Sequence, residues 1–408
     1  MNEPKLRFKE FSEEWVKFPL SEMTNRVRGN DGRTDLPVLT MSASLGWLNQ
    51  KDRFSRIIAG TELKNYTLLK RGELSYNHGN SKLAKYGVVF ELKNYEEALV
   101  PRVYHSFKTN NKSNSTYLEY YFSSKIPDRE LGKLVTSGAR MDGLLNINYD
   151  AFMGIKINFP KLEEQQKIGE FLGKLDKRIQ VQQQKIDLLQ EQNKGYMQKI
   201  FKQEIRFKDD DGGEYPKWKQ TYMKECFDHF GGTALEKYTT EYGKYKFISI
   251  GSYNENNRYN DQGIRINLND KTKTKLLSKD DLVMVLNDKT ASGNIIGRVL
   301  LIEEDNKYIY NQRSERLVSS SEILSVYAWH FLNSDNFRRR IVSMAQGGTQ
   351  IYVNYSSIKE LKFDLPTLEE QQKIANFLSE LDKKIQLEQQ KLELIQEQKK
   401  GFMQQMFI

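Results

Sequence analysis

The 408-residue chain has a single cysteine, Cys226, so no internal disulfide can form and the composition points to a reducing compartment. No apolar run approaches the roughly 18 residues that a membrane span needs, and no secretory leader is evident. The expectation is a soluble, cytoplasmic protein with no membrane association. The four histidines, His78, His105, His229 and His330, show neither HExxH spacing nor a CxxC companion, which predicts no bound metal. Each Gly-Lys pair, at Gly132, Gly173 and Gly243, is followed by a residue other than Ser or Thr. A phosphate-cradling loop and ATP hydrolysis are therefore not expected. The eight prolines never adjoin, which removes the paired-proline signature of enzymes that methylate an exocyclic amino group of a base. PDRELGK, from Pro127, lacks the acidic-x-Lys partner of a nuclease motif, and the GGT after His229 reads as a turn. The chain is predicted to catalyse nothing by itself.

What is present is charge, aromatic side chains and a repeat. Charged residues make up 29% and aromatic residues 12%, enough for folded cores, and the length predicts two or three domains. Basic residues, 63 against 54 acidic, leave a net charge of +9 that favours a polyanionic partner, with nucleic acid the leading candidate. The segment Pro160–Phe201, PKLEEQQKIGEFLGKLDKRIQVQQQKIDLLQEQNKGYMQKIF, recurs at Pro366–Phe407 with 27 of 42 positions identical. IRFK and Trp218 after the first copy echo LRFK and Trp15 at the start, as in a two-unit circle that has been cut.

Apolar residues in each copy alternate at steps of four and three. Ile168, Leu172, Leu175, Ile179, Ile186, Leu189, Tyr196 and Ile200 are matched by Ile374, Leu378, Leu381, Ile385, Leu392, Ile395, Phe402 and Met406. This is a heptad seam without interior proline, and it predicts two helices of about 38 residues, roughly 57 Å each. Gln182, Asn193, Glu388 and Lys399 are polar seam residues of the kind that set register. A compact domain has neighbouring ends, so the segment between the helices places the end of one beside the start of the other. The helices are thereby predicted to run antiparallel, as a coiled coil holding two globular domains apart about a pseudo-twofold axis.

The predicted fold class is α+β, with a first domain at 1–160, a helix at 161–202, a second domain at 203–365 and a helix at 366–408. YGVVFEL, LVMVL and GRVLLIEE read as strands among turn residues. TLLKRGELSYN and KLLSKDDLVMVLN each run a charged turn into a strand. STYLEYYFSS and SEILSVYAWHFLNSDNFRRRIVSMA read as helical, and each is followed by a glycine loop, TSGARMDG or QGGTQIY. The helical stretches Glu163–Lys199 and Glu369–Lys400 together carry 13 basic and 13 acidic residues, so the basic surplus lies in the remainder. Arg, Lys, Asn and Gln there are the side chains that contact phosphates and base edges. The candidates are Asn77, His78, Asn80, Lys82, Lys85 and Arg140 in the first domain. Their counterparts in the second are Asn287, Lys289, Thr290, Asn294, Thr349 and Gln350. The triplet Arg338, Arg339 and Arg340 is assigned to phosphate or solvent.

P-x-LEEQQKI-xx-FL-xx-LD-K, the helix that follows, and Asn-Tyr ahead of each proline occur in two copies about 200 residues apart. In this combination the chain resembles, over essentially its full length, the specificity subunit of type I restriction-modification systems. The resemblance implies two target-recognition domains, each reading half of a split double-stranded DNA site, with Glu163–Phe201 and Glu369–Phe407 as spacer and docking helices. It implies two copies of a methylation subunit bringing S-adenosylmethionine, and restriction subunits using ATP and Mg, while this chain binds no cofactor. Half-sites would then lie more than one DNA turn apart, since a turn is roughly 34–36 Å. Base-contacting residues do not follow from the motif. A non-DNA coiled-coil scaffold with two protein-binding domains is the alternative, and an enzyme assembled from distant residues a further one.

Overall fold

Residues 3–54, 60–135, 144–290 and 292–408 are described by the structure, a computed structural model. The chain divides into two units, Met1–Gln184 with Gln390–Ile408, and Lys185–Gln389. In the first unit a four-stranded sheet runs in the order Thr24–Arg26, His105–Thr109, Leu74–Asn77, Val88–Glu91, with every neighbour antiparallel. In the second the order is Phe227–Gly231, Ser314–Ser319, Leu282–Val285, Val299–Leu301, again antiparallel throughout. Each unit adds a two-stranded ribbon that ends on the proline-bounded segment before a long helix, Val16–Pro19 with Lys156–Phe159 and Lys219–Tyr222 with Lys362–Leu365. The two halves thus share strand order where they share few letters.

Period-two alternation explains the central strand of the second unit. Leu282 and Met284 enter a core with Tyr327, Phe331 and Ile374, while Val283 and Val285 face a separate cluster with Ile248, Leu300 and Tyr310. Both faces are covered, so the strand reads as a continuous apolar run. The charged turns ahead of the central strands use one device twice. Glu73 donates its backbone N–H to Lys70 O and accepts at its carboxylate from Lys70 N at 2.9 Å. Asp281 does the same with Ser278, its carboxylate accepting from Ser278 N at 2.7 Å. The turn itself needs a left-handed residue, supplied by Gly72 at φ +84° and by Asp280 at φ +66°.

The stretch from Ser321 to Ala345 forms two helices, Ser325–Leu332 and Asp335–Val342. The break falls at Asn333 and Ser334. The Ser334 hydroxyl caps the second helix by accepting from Phe337 N. Buried Asn333 uses its amide on the strand instead, accepting from Val299 N at 3.0 Å and donating to Val299 O at 2.9 Å.

The long helices span Leu162–Phe201, 40 residues, and Leu368–Met406, 39 residues. Each unit holds the start of one helix against the end of the other, and the contacts repeat. In the first unit Phe171 meets Phe402 edge-on at 4.9 Å and Asp176 pairs with Lys399. In the second, Phe377 meets Tyr196 at 5.2 Å and Asn193 donates to Asp382 at 2.7 Å. The helices are antiparallel in both. The expected fold class is found, with two mixed α/β units in internal repeat and two long helices packed as a coiled coil. Ile186, Leu189, Ile385, Leu392 and Ile395 are buried along the helices, whereas Leu175, Ile179 and Leu381 are half-buried. Ile168 and Leu172, with Ile374 and Leu378, do more than form a seam, because they are members of the domain cores.

That anchoring explains why LEEQQ is identical in the two copies. Glu164 and Gln165 are 1% and 0% exposed, and Glu370 and Gln371 are both 0%. Arg7 forks onto the Glu164 carboxylate with two bonds of 2.8 Å. Arg206 does so on Glu370 at 3.1 and 2.6 Å, joined by the Trp218 indole N–H at 2.9 Å. The Gln165 carbonyl accepts from Asn114 N and its amide donates to Pro160 O; Gln371 repeats this with Leu324 N and Pro366 O. Paired, planar, charge-assisted bonds of this kind fix orientation as well as position. The LRFK and IRFK echoes are the arginine halves of these clasps.

Candidate nucleic-acid interface

In the second unit the two candidate loops meet. Asn287–Asp288 pairs with Ile351–Tyr352, which pairs back with Gln346–Gly347, giving a small three-stranded ribbon. Thr349 and Gln350 lie in the turn of this ribbon and are exposed, as are Lys289, Thr290 and Asn294, while Asn287 is half-buried. Asp288, 5% exposed, stitches the following loop, its carboxylate accepting from Thr290 N and Oγ1 at 2.9 and 3.0 Å and from Ile295 N at 3.1 Å. Gly347 sits at φ +112°, and a Cβ there would come within 2.2 Å of Gln350 O. Glycine is required for the turn to close.

The first unit builds the same junction with other residues. A bridge joins Gly79 to Leu144, and Leu145 N donates to His78 O at 2.8 Å. Gly79 and Leu144 stand 208 positions before Asn287 and Tyr352, the pair that opens the second ribbon. The loop base is closed by Gly87 at φ +86°, where a Cβ would lie 2.4 Å from Asn77 O. Asn80, Lys82 and Lys85 are exposed on this loop, and half-buried Asn77 accepts from Gly79 N at 3.1 Å. Arg140 lies outside the described residues.

His78 turns inward. It is 5% exposed, with Nδ1 2.6 Å from Leu145 O and Nε2 3.1 Å from Val103 O, and its ring stacks on His105 at 4.9 Å. Its ring nitrogens meet the loop exit, while Asn80, Lys82 and Lys85 around it stay exposed. His105 in turn sits 2.8 Å from Ile147 O, and burial pushes its imidazole down to about 4, with His78 and Arg26 adding to the effect. Arg26 lies over the Tyr149 ring at 4.0 Å.

The arginine triplet is divided by helix geometry, since successive residues point about 100° apart. Arg338 reaches into the unit to Asn294 O at 2.8 Å, exposed Arg339 bonds back to Asp335 O, and Arg340 bonds Lys362 O at 2.7 Å. Arg298, not singled out by the sequence, joins Arg338 on the Asn294 carbonyl. Its signal, one arginine at the start of a strand, is too common to stand out. Glu164, Gln165, Glu370 and Gln371 were also passed over, although identity in both copies marked them. Among the described residues no group of three or more His, Cys, Asp or Glu side chains converges as a metal site would require, and no helix is long and apolar enough to cross a membrane.

Two like-folded units thus carry unlike polar loops at equivalent sheet edges, on a basic chain. The chain belongs to the family of type I restriction modification DNA specificity domains, which matches it twice, at residues 12–191 and 215–397. DNA sequence recognition in a type I restriction-modification system is its function. It is 28% identical over 308 residues to the type I restriction enzyme MjaVIII specificity subunit of Methanocaldococcus jannaschii, covering 70% of this chain and 68% of that one. The putative MjaX specificity subunit of the same organism is 24% identical over 273 residues, covering 63% and 60%. Among solved structures, the S subunit of a type I restriction-modification system from M. genitalium superposes with a TM-score of 0.62 at 15% identity, covering 100% of this chain and 99% of that one. A structure concerned with complex assembly and conformational transition of the type I R-M system gives 0.56 at 11% identity, covering 97% and 98%. At such identities the likeness is one of fold.

Proposed function

We propose that each unit reads one half of a bipartite, asymmetric duplex site through its ribbon-and-loop edge. Asn80, Lys82 and Lys85 serve one half; Lys289, Thr290, Asn294, Thr349 and Gln350 serve the other. The observation that carries this reading is the shared strand order and the equivalent loop junctions, occupied by different side chains. A common scaffold with unlike reading residues suits two unlike half-sites. The repeat-conserved helices suit two copies of one partner, a methylation subunit that supplies S-adenosylmethionine. Restriction subunits supply ATP- and Mg-dependent cleavage, and this chain itself catalyses nothing. Supporting the docking role, Val181 and Leu188 on the first helix are 51% and 56% exposed, and their repeat counterparts Leu387 and Leu394 are 48% and 55% exposed. Apolar side chains left in water at matching positions of both copies fit a duplicated partner surface.

The test is a genome-wide map of methylated adenines in cells carrying the methylation subunit, with and without this chain. A split motif that appears only with the chain is the expected result. An unchanged map, with both proteins expressed and associated, would return the scaffold reading.

A further inference from the structure

Within the second unit, a cleft of about 820 Å3 opens beside the loop Ser292–Ile295, with Arg298 and Arg338 in its wall. These two guanidiniums are drawn together on one oxygen: Arg298 Nε and Arg338 Nη2 donate to Asn294 O at 2.9 and 2.8 Å. Every other acceptor they reach is neutral. Arg298 Nη1 bonds Glu255 O at 2.6 Å and the Asn257 amide oxygen at 2.7 Å, and Arg338 Nη2 also approaches Ile296 O at 3.3 Å. Arg338 Nε is buried without a partner among the described residues. Of the acids around the pair, Asp335 is already engaged by Lys194 at 2.9 Å and by Gln198, while Glu255 in the cleft wall and Asp288 act on the arginines through space. Burial first, and then the neighbouring Arg298, push the Arg338 guanidinium down to about 10, and burial lowers Arg298 as well. Arginine keeps its charge at neutral pH, so two half-buried guanidiniums stand side by side, and among the described residues neither bonds a carboxylate directly. Like charges so placed are stabilised by an anion that bridges them.

We propose that Arg298 and Arg338 form a seat for a backbone phosphate of the bound DNA, fixing the register of the duplex against the recognition loop that begins at Asn287. The seat rests on the proposed function, since it lies at the edge of the same reading loop. Its ligand chemistry is a phosphodiester oxyanion, met by the planar fork of arginine. Because it touches backbone, it adds affinity on every sequence and leaves the choice of bases to Lys289, Thr290, Thr349, Gln350 and the side chain of Asn294.

The chain with its methylation partner is titrated with a duplex carrying the mapped motif and with a scrambled duplex, across a range of salt. Arg298→Gln and Arg338→Gln are each expected to weaken both duplexes about tenfold and to lower the slope of log K against log salt by about 0.9, the release from one phosphate. The methylated motif stays the same. Arg338→Lys keeps the slope, because the charge remains, and serves as the control for a loop merely loosened by substitution. Thermal melting of each variant checks folding.

An unchanged slope in folded glutamine variants, or equal loss of slope in Arg338→Lys, overturns the seat and leaves the arginines as loop clasps. Stabilisation of the wild-type chain by inorganic phosphate with no change in the DNA slopes also overturns it, in favour of a free-anion site. Failure of the wild-type assembly to prefer its motif duplex overturns the proposed function instead, so the two failures are separable.

Discussion

Each candidate base reader stands or falls singly. Gln350 is exposed at the tip of the second ribbon. Gln350→Ala should relax one base position of one half-site, at roughly 1–3 kcal/mol of discrimination, seen as degeneracy at one position of the methylation map; an unchanged motif removes Gln350 from the readers. Half-buried His105 and buried His330 predict a pH dependence. Burial holds His105 near 4 and His330 near 3, where Arg258 adds to the effect, while an unfolded histidine titrates near 6.5. Both are neutral in the folded chain, so their contribution to stability is complete above about pH 6.5 and drains away as pH falls toward 4 and then 3. Thermal midpoints should drop across that window, and His330→Gln should flatten the curve. Of the single residues, sequence reasoning found the exposed loop positions because turn-rich polar stretches between strands mark loops. It put His78 among them because a histidine beside asparagine in a loop carries no mark of burial. Its burial depends on two carbonyls brought from distant segments, Leu145 O at Nδ1 and Val103 O at Nε2.

Local patterning exposed the elements in proportion to its strength. The helices were legible because eight apolar positions recur in each copy, and the central strands because Leu282–Val285 is uniformly apolar. The strand order was not legible, since it depends on pairings such as Leu74 with Phe107 that lie far apart in the chain. The clasp at the start of each helix makes a sharp prediction. Glu370→Gln leaves Arg206 without its charge partner at a buried carboxylate site and should cost about 3 kcal/mol in urea unfolding, with a smaller loss for Glu164→Gln because Arg7 keeps Glu3 at 3.8 Å; a loss under about 1 kcal/mol for Glu370→Gln would make LEEQQ a docking motif for a partner and not a clasp. The ribbon predicts a functional effect. Gly347→Ala, at φ +112° with a Cβ 2.2 Å from Gln350 O, should cost about 2 kcal/mol locally. It should also blur the half-site of the second unit and leave the other half sharp on the methylation map.

For the molecule as a whole, repetition with divergence is the governing fact. Internal identity was visible in the long helices from the letters alone, yet the kinship of the two globular segments emerges only from their common sheet order and from junctions displaced by the same 208 positions. If helix length sets the spacing, inserting four residues at equivalent seam points of both helices should lengthen the gap between half-sites or abolish recognition. An unaltered gap would refute that ruler. The most direct test of the whole account is to replace residues 17–158 by a second copy of 219–364 within one chain, and to map methylated adenines. The account predicts that the split motif becomes an inverted repeat of one half-site, the half read by the second unit. A motif that keeps both of its original halves, in a replaced chain that still supports methylation, would contradict the assignment of one half-site to each unit.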